Sequence, residues 1–274
     1  MTINDSIALY GFNNLTKNLS FSLYKLHYLQ PNKQLITYND YIKKNYNSAK
    51  LTLLLTDICH AVGGSLLNVA SQDYQPHGAS VTLMISEEAK PTVLPESLVA
   101  HLDKSHLCIH TYPDEVFGFP AQKQTVEANV SGQIAVFRAD IELSTCGVIS
   151  PLNVINYVLS QFNADVVDID YRIRGMTRNL QGKMQFIDQH ITHISDHLSK
   201  KFLLSYDVEN TNLIMKNLFH TRLCRKANQL SDNILTDQYR DTHPLNNAEK
   251  QKINASLYCK MRQLFRNNEL TDLV

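Results

Sequence analysis

The chain has 274 residues, of which 43% are hydrophobic and 19% are charged, and this ordinary globular usage argues against a disordered polypeptide. Lysine plus arginine and aspartate plus glutamate balance at 26 each, so the overall charge provides no drive toward nucleic acid or an anionic membrane. No apolar run approaches the ~20 residues that span a bilayer, and Met1–Tyr10 lacks the pattern of a secretory signal. We therefore expect a folded, cytoplasmic protein with no nucleic-acid or membrane partner.

The first predicted elements lie between Leu51 and Ser86. Apolar positions recur at helical spacing from Leu51 to Cys59, and Gly63-Gly64 follow where a helix would stop. Ser65–Ala70 is typical of a short buried strand, and Ala79–Ser86 is rich in residues that favour strands. Gln72–Gly78 carries turn residues between them, so the two strands are expected to be neighbours in a sheet.

The next strand, Ser105–Tyr112, alternates strictly between two kinds of side chain. One predicted face carries Leu107, Ile109 and Thr111, and the other carries His106, Cys108 and His110. The second set could ligate a transition metal. Alternation alone produces this spacing, however, and adjacent side chains on one strand face converge poorly, so a metal site is the less favoured interpretation.

The remaining elements complete the predicted fold. Ile134–Leu143 and Val166–Ile173 are strand-like, and Leu152–Phe162 is a predicted helix with Ser150 as its N-cap and Pro151 at its first position. We predict an α+β fold, a two-layer sandwich of a mainly antiparallel sheet with helices on one face, plus a helical C-terminal region. The predicted division is a core at residues 1–178 and a helical extension at 179–274.

The cysteines do not suggest a disulfide framework. They are odd in number and widely spaced, without a CxxC pair: Cys59, Cys108, Cys146, Cys224 and Cys259. At least one thiol is therefore expected to be free.

Several separated blocks carry a family resemblance. They are Gly11-Phe-Asn-Asn-Leu-Thr-Lys, Gln72-Asp-Tyr-Gln-Pro-His-Gly-Ala-Ser80, Ala100-His-Leu-Asp-Lys-Ser-His-Leu-Cys-Ile-His-Thr-Tyr-Pro113, Phe137-Arg-Ala-Asp-Ile-Glu, Ser144-Thr-Cys-Gly-Val-Ile-Ser-Pro151 and Ile169-Asp-Tyr-Arg172. In this order they resemble S-adenosylmethionine decarboxylase proenzymes of the longer bacterial type. The resemblance is strong over Tyr10–Arg178 and looser in the C-terminal tail.

The resemblance implies a chain that makes its own catalytic carbonyl. Decarboxylating an amino acid requires an electron sink, and no ordinary side chain offers a carbonyl. By the family's route, self-cleavage between Lys104 and Ser105 gives chains 1–104 and 105–274 and converts Ser105 into a pyruvoyl group. The matching positions imply that His110 is the processing base, that Ser80 assists self-cleavage and that Cys146 is the proton donor of the finished enzyme.

The implied reaction decarboxylates S-adenosylmethionine through a Schiff base with the pyruvoyl group and supplies the aminopropyl donor for spermidine synthesis. Pyruvoyl decarboxylases of arginine or ornithine share the processing logic and are the alternative within the enzyme class. A homologue that has lost activity and serves as a regulatory partner is the alternative outside it. The intact set of Ser105, His110 and Cys146 argues against the second alternative.

The resemblance also implies a homo-oligomer built from the two cleaved chains, and activation by Mg²⁺. The sequence identifies no ligands for this ion; Asp140, Glu142 and Asp170 are the acidic residues near the blocks. Two features depart from the family pattern. Asp114 stands where relatives often have glutamate, and Val116–Gln133 contains extra residues that we expect in a surface loop.

Overall fold

The computed structural model describes residues 14–29, 34–86, 104–114, 133–146, 149–179, 181–187, 189–227 and 246–267. The predicted insertion at Val116–Gln133 lies outside these ranges, apart from Gln133 itself. In chain order the elements are β1 (Thr16–Leu29), α1 (Gln34–Asn45), α2 (Ser48–Ala61), β2 (Ser65–Asp73), β3 (Ala79–Ser86), β4 (Lys104–Pro113), β5 (Gln133–Thr145), α3 (Ile155–Phe162), β6 (Val166–Arg174), β7 (Thr177–Arg178), β8 (Met184–Gln185), α4 (Lys200–Ser205), β9 (Tyr206–Leu213), β10 (Leu218–Arg225) and α5 (Asn247–Arg266).

An eight-stranded sheet organises the described residues, with strand order β2-β3-β4-β5-β1-β6-β10-β9. All its described pairings are antiparallel, and a separate two-stranded ribbon joins β7 and β8. The predicted antiparallel α+β fold is therefore confirmed. The strands predicted at Ala79–Ser86, Ser105–Tyr112, Ile134–Leu143 and Val166–Ile173 correspond to β3, β4, β5 and β6.

One face of the sheet carries the larger core, under α1, α2 and α3. Helix α2 contributes Leu51, Leu55, Ile58 and Cys59, which recur at helical spacing and are buried against the sheet. Asn47 caps its first turn by accepting a hydrogen bond from Lys50 N. Gly63 follows the helix with φ +85°, a backbone conformation that glycine adopts without strain, so the predicted helix stop is confirmed.

The opposite face carries a smaller core under α5. Ile253, Leu257, Met261 and Phe265 form one stripe of this helix and pack against Leu26, Tyr28, Val166 and Cys224. Asn246 and Glu249 form a reciprocal capping box that fixes where the helix begins. No helix among the described residues is long and apolar enough to cross a membrane.

Two sequence predictions need correction. Residues Ser65–Ala70 form a strand, but most of β2 is exposed because it is the edge strand of the sheet and has a neighbour on one side only. The C-terminal region is only partly helical, since β9 and β10 lie in it and extend the sheet through the pairing of β10 with β6. The division at residue 178 stays a prediction, and the continuous sheet crosses it.

The start of the predicted Leu152–Phe162 helix also differs in detail. Pro151–Val154 forms a turn of 3₁₀ helix, and the α-helix begins at Ile155. Pro151 occupies the first position as predicted, but the Ser150 side chain makes no capping hydrogen bond. The tighter turn brings Pro151, Leu152 and Val154 into the core.

Candidate active site

Ser105 lies at the start of β4, with its side chain buried at 1% exposure. Because strand side chains alternate, Ser105 shares the helix-covered face with Leu107, Ile109 and Thr111, all of which are buried. The residue predicted to become the reactive group is therefore on the apolar face of its strand. A carbonyl formed there would be shielded from water by the core.

Thr145 and Cys146 lie at the end of the neighbouring strand β5, next to the start of β4. The β4–β5 register pairs His106 with Ser144, so Ser105 and Thr145 take the next position along. Thr145 is fully buried and donates a hydrogen bond to the Ile149 carbonyl oxygen at 3.3 Å. Cys146 follows directly after β5 and is half-buried. The register thus places Ser105 and Cys146 at the same end of the β4–β5 pair, one position apart across the two strands.

His110 and Ser80 form a second group. They are cross-strand partners in the β3–β4 pairing, and both side chains are half-buried. The Tyr74 hydroxyl donates to Ser80 Oγ at 2.8 Å, and the His110 ring is stacked on that of Tyr112 with centroids 6.5 Å apart. The Arg138 guanidinium lies 4.3 Å from the centre of the Tyr112 ring. Ser80 and His110 therefore lie beside two tyrosines and the Arg138–Asp140 ion pair.

The two groups are separated within one chain. Ser105 and His110 are five positions apart along the strand, which corresponds to about 17 Å along β4. Their odd spacing also places the two side chains on opposite faces of the sheet. In this arrangement the His110 ring does not reach Ser105 of its own chain.

His110 belongs to a polar face that the helix layer leaves uncovered. We define this polar face by the side chains of the central strands that alternate away from α1–α3: His106, Cys108, His110, Asp140, Glu142, Asn18, Ser20, Ser22, Asp168 and Asp170. Its charges are paired with neighbours: Arg138 with Asp140 at 3.2 Å, Arg222 with Asp168 at 2.6 Å and His220 with Asp170 at 2.8 Å. Asn18 Nδ2 donates to Glu142 Oε1 at 2.5 Å.

The alternative metal site can be compared with this arrangement. His106, Cys108 and His110 share the polar face as the alternation predicted, and burial followed by the charge of Glu142 raises the pKa of the Cys108 thiol. Within the described ranges, no group of three or more histidine, cysteine or acidic side chains could hold a metal ion. All five cysteines are free thiols. The Mg²⁺ prediction therefore gains no ligand set from these residues.

Sequence reasoning missed two residues beside the predicted ones. Tyr74 hydrogen-bonds Ser80, and its presence in the Gln72–Ser80 block was the available signal. Lys17 lies opposite Thr145 on β1 and is fully buried. The available sequence signal was that Lys17 falls on the same strand face as the apolar residues Leu19 and Phe21.

The His220–Asp170 pair predicts a pH-dependent stability. The hydrogen bond that the His220 ring donates to the Asp170 carboxylate raises the pKa of His220 above its ordinary value, because it favours the protonated ring. The stabilisation is fully present below the unfolded pKa and is lost as the pH rises through the raised folded pKa.

We expect the difference in Tm between the parent and His220→Gln to be larger at about pH 5.5 than at about pH 9. Asp170→Asn should remove the same pH dependence, since it removes the charged acceptor. The effect should be modest because both side chains are partly exposed. Equal differences at the two pH values would contradict this assignment.

Comparison with known proteins identifies the chain. A family model described as S-adenosylmethionine decarboxylase matches residues 41–119. The S-adenosylmethionine decarboxylase proenzymes of Escherichia coli O45:K1 (strain S88) and O81 (strain ED1a) are each 41% identical to this chain over 269 residues, covering 94% of this chain and 96% of the relative. The adenosylmethionine decarboxylase structure from Aquifex aeolicus has 14% identity and a TM-score of 0.35, with 61% of this chain and 97% of that chain covered.

The near full-length match to the bacterial proenzymes defines the class of protein, because it includes Ser105, His110 and Cys146 within one continuous similarity. The chain is an enzyme of the decarboxylase class. It belongs to the S-adenosylmethionine decarboxylase family.

Proposed function

We propose that this protein decarboxylates S-adenosylmethionine in the cytoplasm and so supplies the aminopropyl donor for spermidine synthesis. The proposal rests on one observation: Ser105 is buried at the start of β4, and Cys146 follows the end of the neighbouring strand β5. The relatives at 41% identity bear the name of this activity over nearly their whole length.

Self-cleavage at Ser105 is the first part of the proposed function. Ser105 Oγ attacks the Lys104 carbonyl carbon, the peptide C–N bond breaks, and the nitrogen takes the proton, leaving an ester. A base removes the Ser105 α-hydrogen, the Cβ–Oγ bond breaks, and Lys104 leaves as a carboxylate. Water then hydrolyses the dehydroalanine, and ammonia is released. The first step needs the serine hydroxyl to be held near the carbonyl carbon of the preceding residue. Ser105 is the second residue of β4, a strand inside the sheet, so its backbone is fixed by pairing.

The residues around Ser105 fit a pyruvoyl group at that position. The side chain is buried on the helix-covered face with Thr145 opposite it, and the half-buried Cys146 thiol lies one residue past that cross-strand position. The group would supply the electron sink for loss of carbon dioxide. A cysteine thiol carries a proton that it can donate, so Cys146 is assigned the return of a proton to the substrate carbon.

The positions of His110 and Ser80 favour self-association. About 17 Å of strand separates His110 from Ser105 of the same chain, and His110 belongs to the polar face. A His110 that acts at Ser105 would then have to come from a second copy, because β4 holds the two residues of one chain apart. We therefore propose a homo-oligomer of cleaved chains in which His110 of one copy drives elimination at Ser105 of another.

Mixing two inactive variants tests this arrangement. His110→Ala keeps Ser105, and Ser105→Ala keeps His110, so neither should cleave alone. In co-expressed mixtures carrying different tags, we expect the His110→Ala chain to be cleaved and the Ser105→Ala chain to remain intact. Mass spectrometry of the co-purified chains measures both.

Failure of the two tagged chains to co-purify would overturn self-association. Co-purification without cleavage would overturn the exchange of His110 between copies. Cleavage of His110→Ala on its own would show that His110 is not the processing base.

Release of labelled carbon dioxide tests the substrate. We expect it from carboxyl-labelled S-adenosylmethionine and not from arginine or ornithine. Release from either amino acid instead would favour the other pyruvoyl decarboxylases, and no release from any of the three would favour an inactive regulatory homologue. Activation by Mg²⁺ stays a prediction, to be measured as the rise in rate when the ion is added after chelation.

A further inference from the structure

Lys17 is a charged residue in an apolar place. It lies on β1 between the buried Leu15 and Leu19, on the helix-covered face, and its exposure is 0%. Lysine is rarely buried so completely, because removing an ammonium from water costs several kcal/mol unless its surroundings compensate. A lysine at such a position is a candidate for a role in the chemistry beside it.

The sheet register places this charge near Ser105. Lys17 is the Cα partner of Thr145, and Thr145 is opposite Ser105, so the three residues form one cross-strand row that we call the Ser105 row. Neighbouring strands are about 4.8 Å apart, which puts the Cα atoms of Lys17 and Ser105 about 10 Å apart. An extended lysine side chain spans about 6 Å from Cα to Nζ. Lys17 can therefore bring its ammonium across Thr145 to the Ser105 side of the row.

Self-cleavage at Ser105 is favoured by a hydrogen-bond donor or a positive group at this place. When Ser105 Oγ attacks the Lys104 carbonyl carbon, negative charge develops on the carbonyl oxygen, and a donor preorganised there lowers the barrier. His110 and Ser80 of the same chain lie at the far end of β4 on the other face. Lys17 is the cation that the described residues place in the Ser105 row.

We propose that the Lys17 ammonium stabilises the oxyanion formed on the Lys104 carbonyl oxygen during the N-to-O acyl shift at Ser105. This inference rests on the proposed self-cleavage. It assigns Lys17 to the first step, before the ester forms, and His110 to the elimination that follows.

Lys17→Met separates this role from a structural one. Methionine keeps much of the length and removes the charge, and replacing a buried ion by an apolar side chain of similar volume is often neutral or stabilising. In timed cell-free synthesis, we expect Lys17→Met to cleave about 100-fold more slowly than the parent, the usual cost of losing one oxyanion donor. Its Tm, measured against uncleaved Ser105→Ala, should be equal or higher.

Lys25→Met is the matched control. Lys25 is the other buried lysine of β1, on the same face eight residues away, and it pairs with Asp165. We expect this variant to cleave at the parental rate. Slow cleavage of both variants, or a lower Tm for Lys17→Met than for Ser105→Ala, would assign Lys17 to structure and overturn the proposal.

Hydroxylamine identifies the step, because it splits esters and leaves peptide bonds intact. His110→Ala should accumulate the ester and yield fragments on treatment, whereas Lys17→Met should yield none. If Lys17→Met yielded fragments with hydroxylamine, or cleaved at the parental rate, the proposed role of Lys17 would be overturned while self-cleavage at Ser105 would stand. A parent chain that never cleaves would instead overturn the proposed self-cleavage.

Discussion

Replacing Ser105 with alanine is expected to leave one uncleaved chain of about 31.2 kDa with no detectable decarboxylation. Alanine lacks the hydroxyl that attacks the Lys104 carbonyl and cannot become a carbonyl itself, so both processing and turnover are lost. The fold should survive, because Ser105 is buried at 1% exposure and alanine fits the same strand position. Intact-mass measurement and labelled carbon dioxide release report the two effects separately.

Two further variants test whether the loss of cleavage is particular to Ser105. Cys146→Ala should cleave normally and then turn over slowly, since its thiol is needed only after the chain is cut. Ser71→Ala changes a serine on the same side of the sheet two strands away, and should behave as the parent. Cleavage of Ser105→Ala at the same bond would contradict the assignment.

Replacing Asp165 with alanine is expected to cause the largest loss of stability, about 3–5 kcal/mol in the free energy of unfolding. Asp165 is fully buried and accepts the Leu26 N–H at 2.9 Å, while Lys25 Nζ lies 3.5 Å and Arg225 Nε 3.3 Å from its Oδ1. Burial lowers the pKa of Lys25 despite the attraction of Asp165, which shows how strongly this position disfavours charge. Alanine would leave two buried cations without their carboxylate.

Denaturant unfolding measures this loss, with both variants made in uncleaved Ser105→Ala so that one chain unfolds. Asp140→Ala is the control, because its pair with Arg138 is partly exposed and should contribute less than about 1 kcal/mol. Equal losses for Asp165→Ala and Asp140→Ala would contradict the importance of burial.

The sequence predicted the central strands because their alternation is strong. In β4 and β5 every second residue is apolar and buried, and the family blocks lie on the same strands. The helix stop at Gly63 was predictable for a local reason, a backbone conformation that glycine favours. These features depend on neighbouring residues only.

Features that depend on the whole sheet were not predictable. β9 contains Glu209-Asn-Thr-Asn212, polar residues that favour turns, and it forms a strand because β10 pairs with it at the edge. The exposure of β2 likewise follows from its place in the strand order. Local propensity carries no information on either position.

The candidate site divides in the same way. The blocks identified Ser105, Ser80, His110 and Cys146, and the alternation along β4 places Ser105 on the face opposite to its histidines. The burial of Lys17 in the Ser105 row became evident only with the register of β1, β4 and β5.

The central claim is that Ser105 becomes the catalytic carbonyl, and intact-mass measurement of the purified, active protein tests it most directly. We predict two chains, residues 1–104 ending at Lys104 and residues 105–274, the larger lighter by one ammonia than a fragment that begins with serine. A single uncleaved chain in an active preparation, or a larger fragment that retains serine at its start, would contradict the claim.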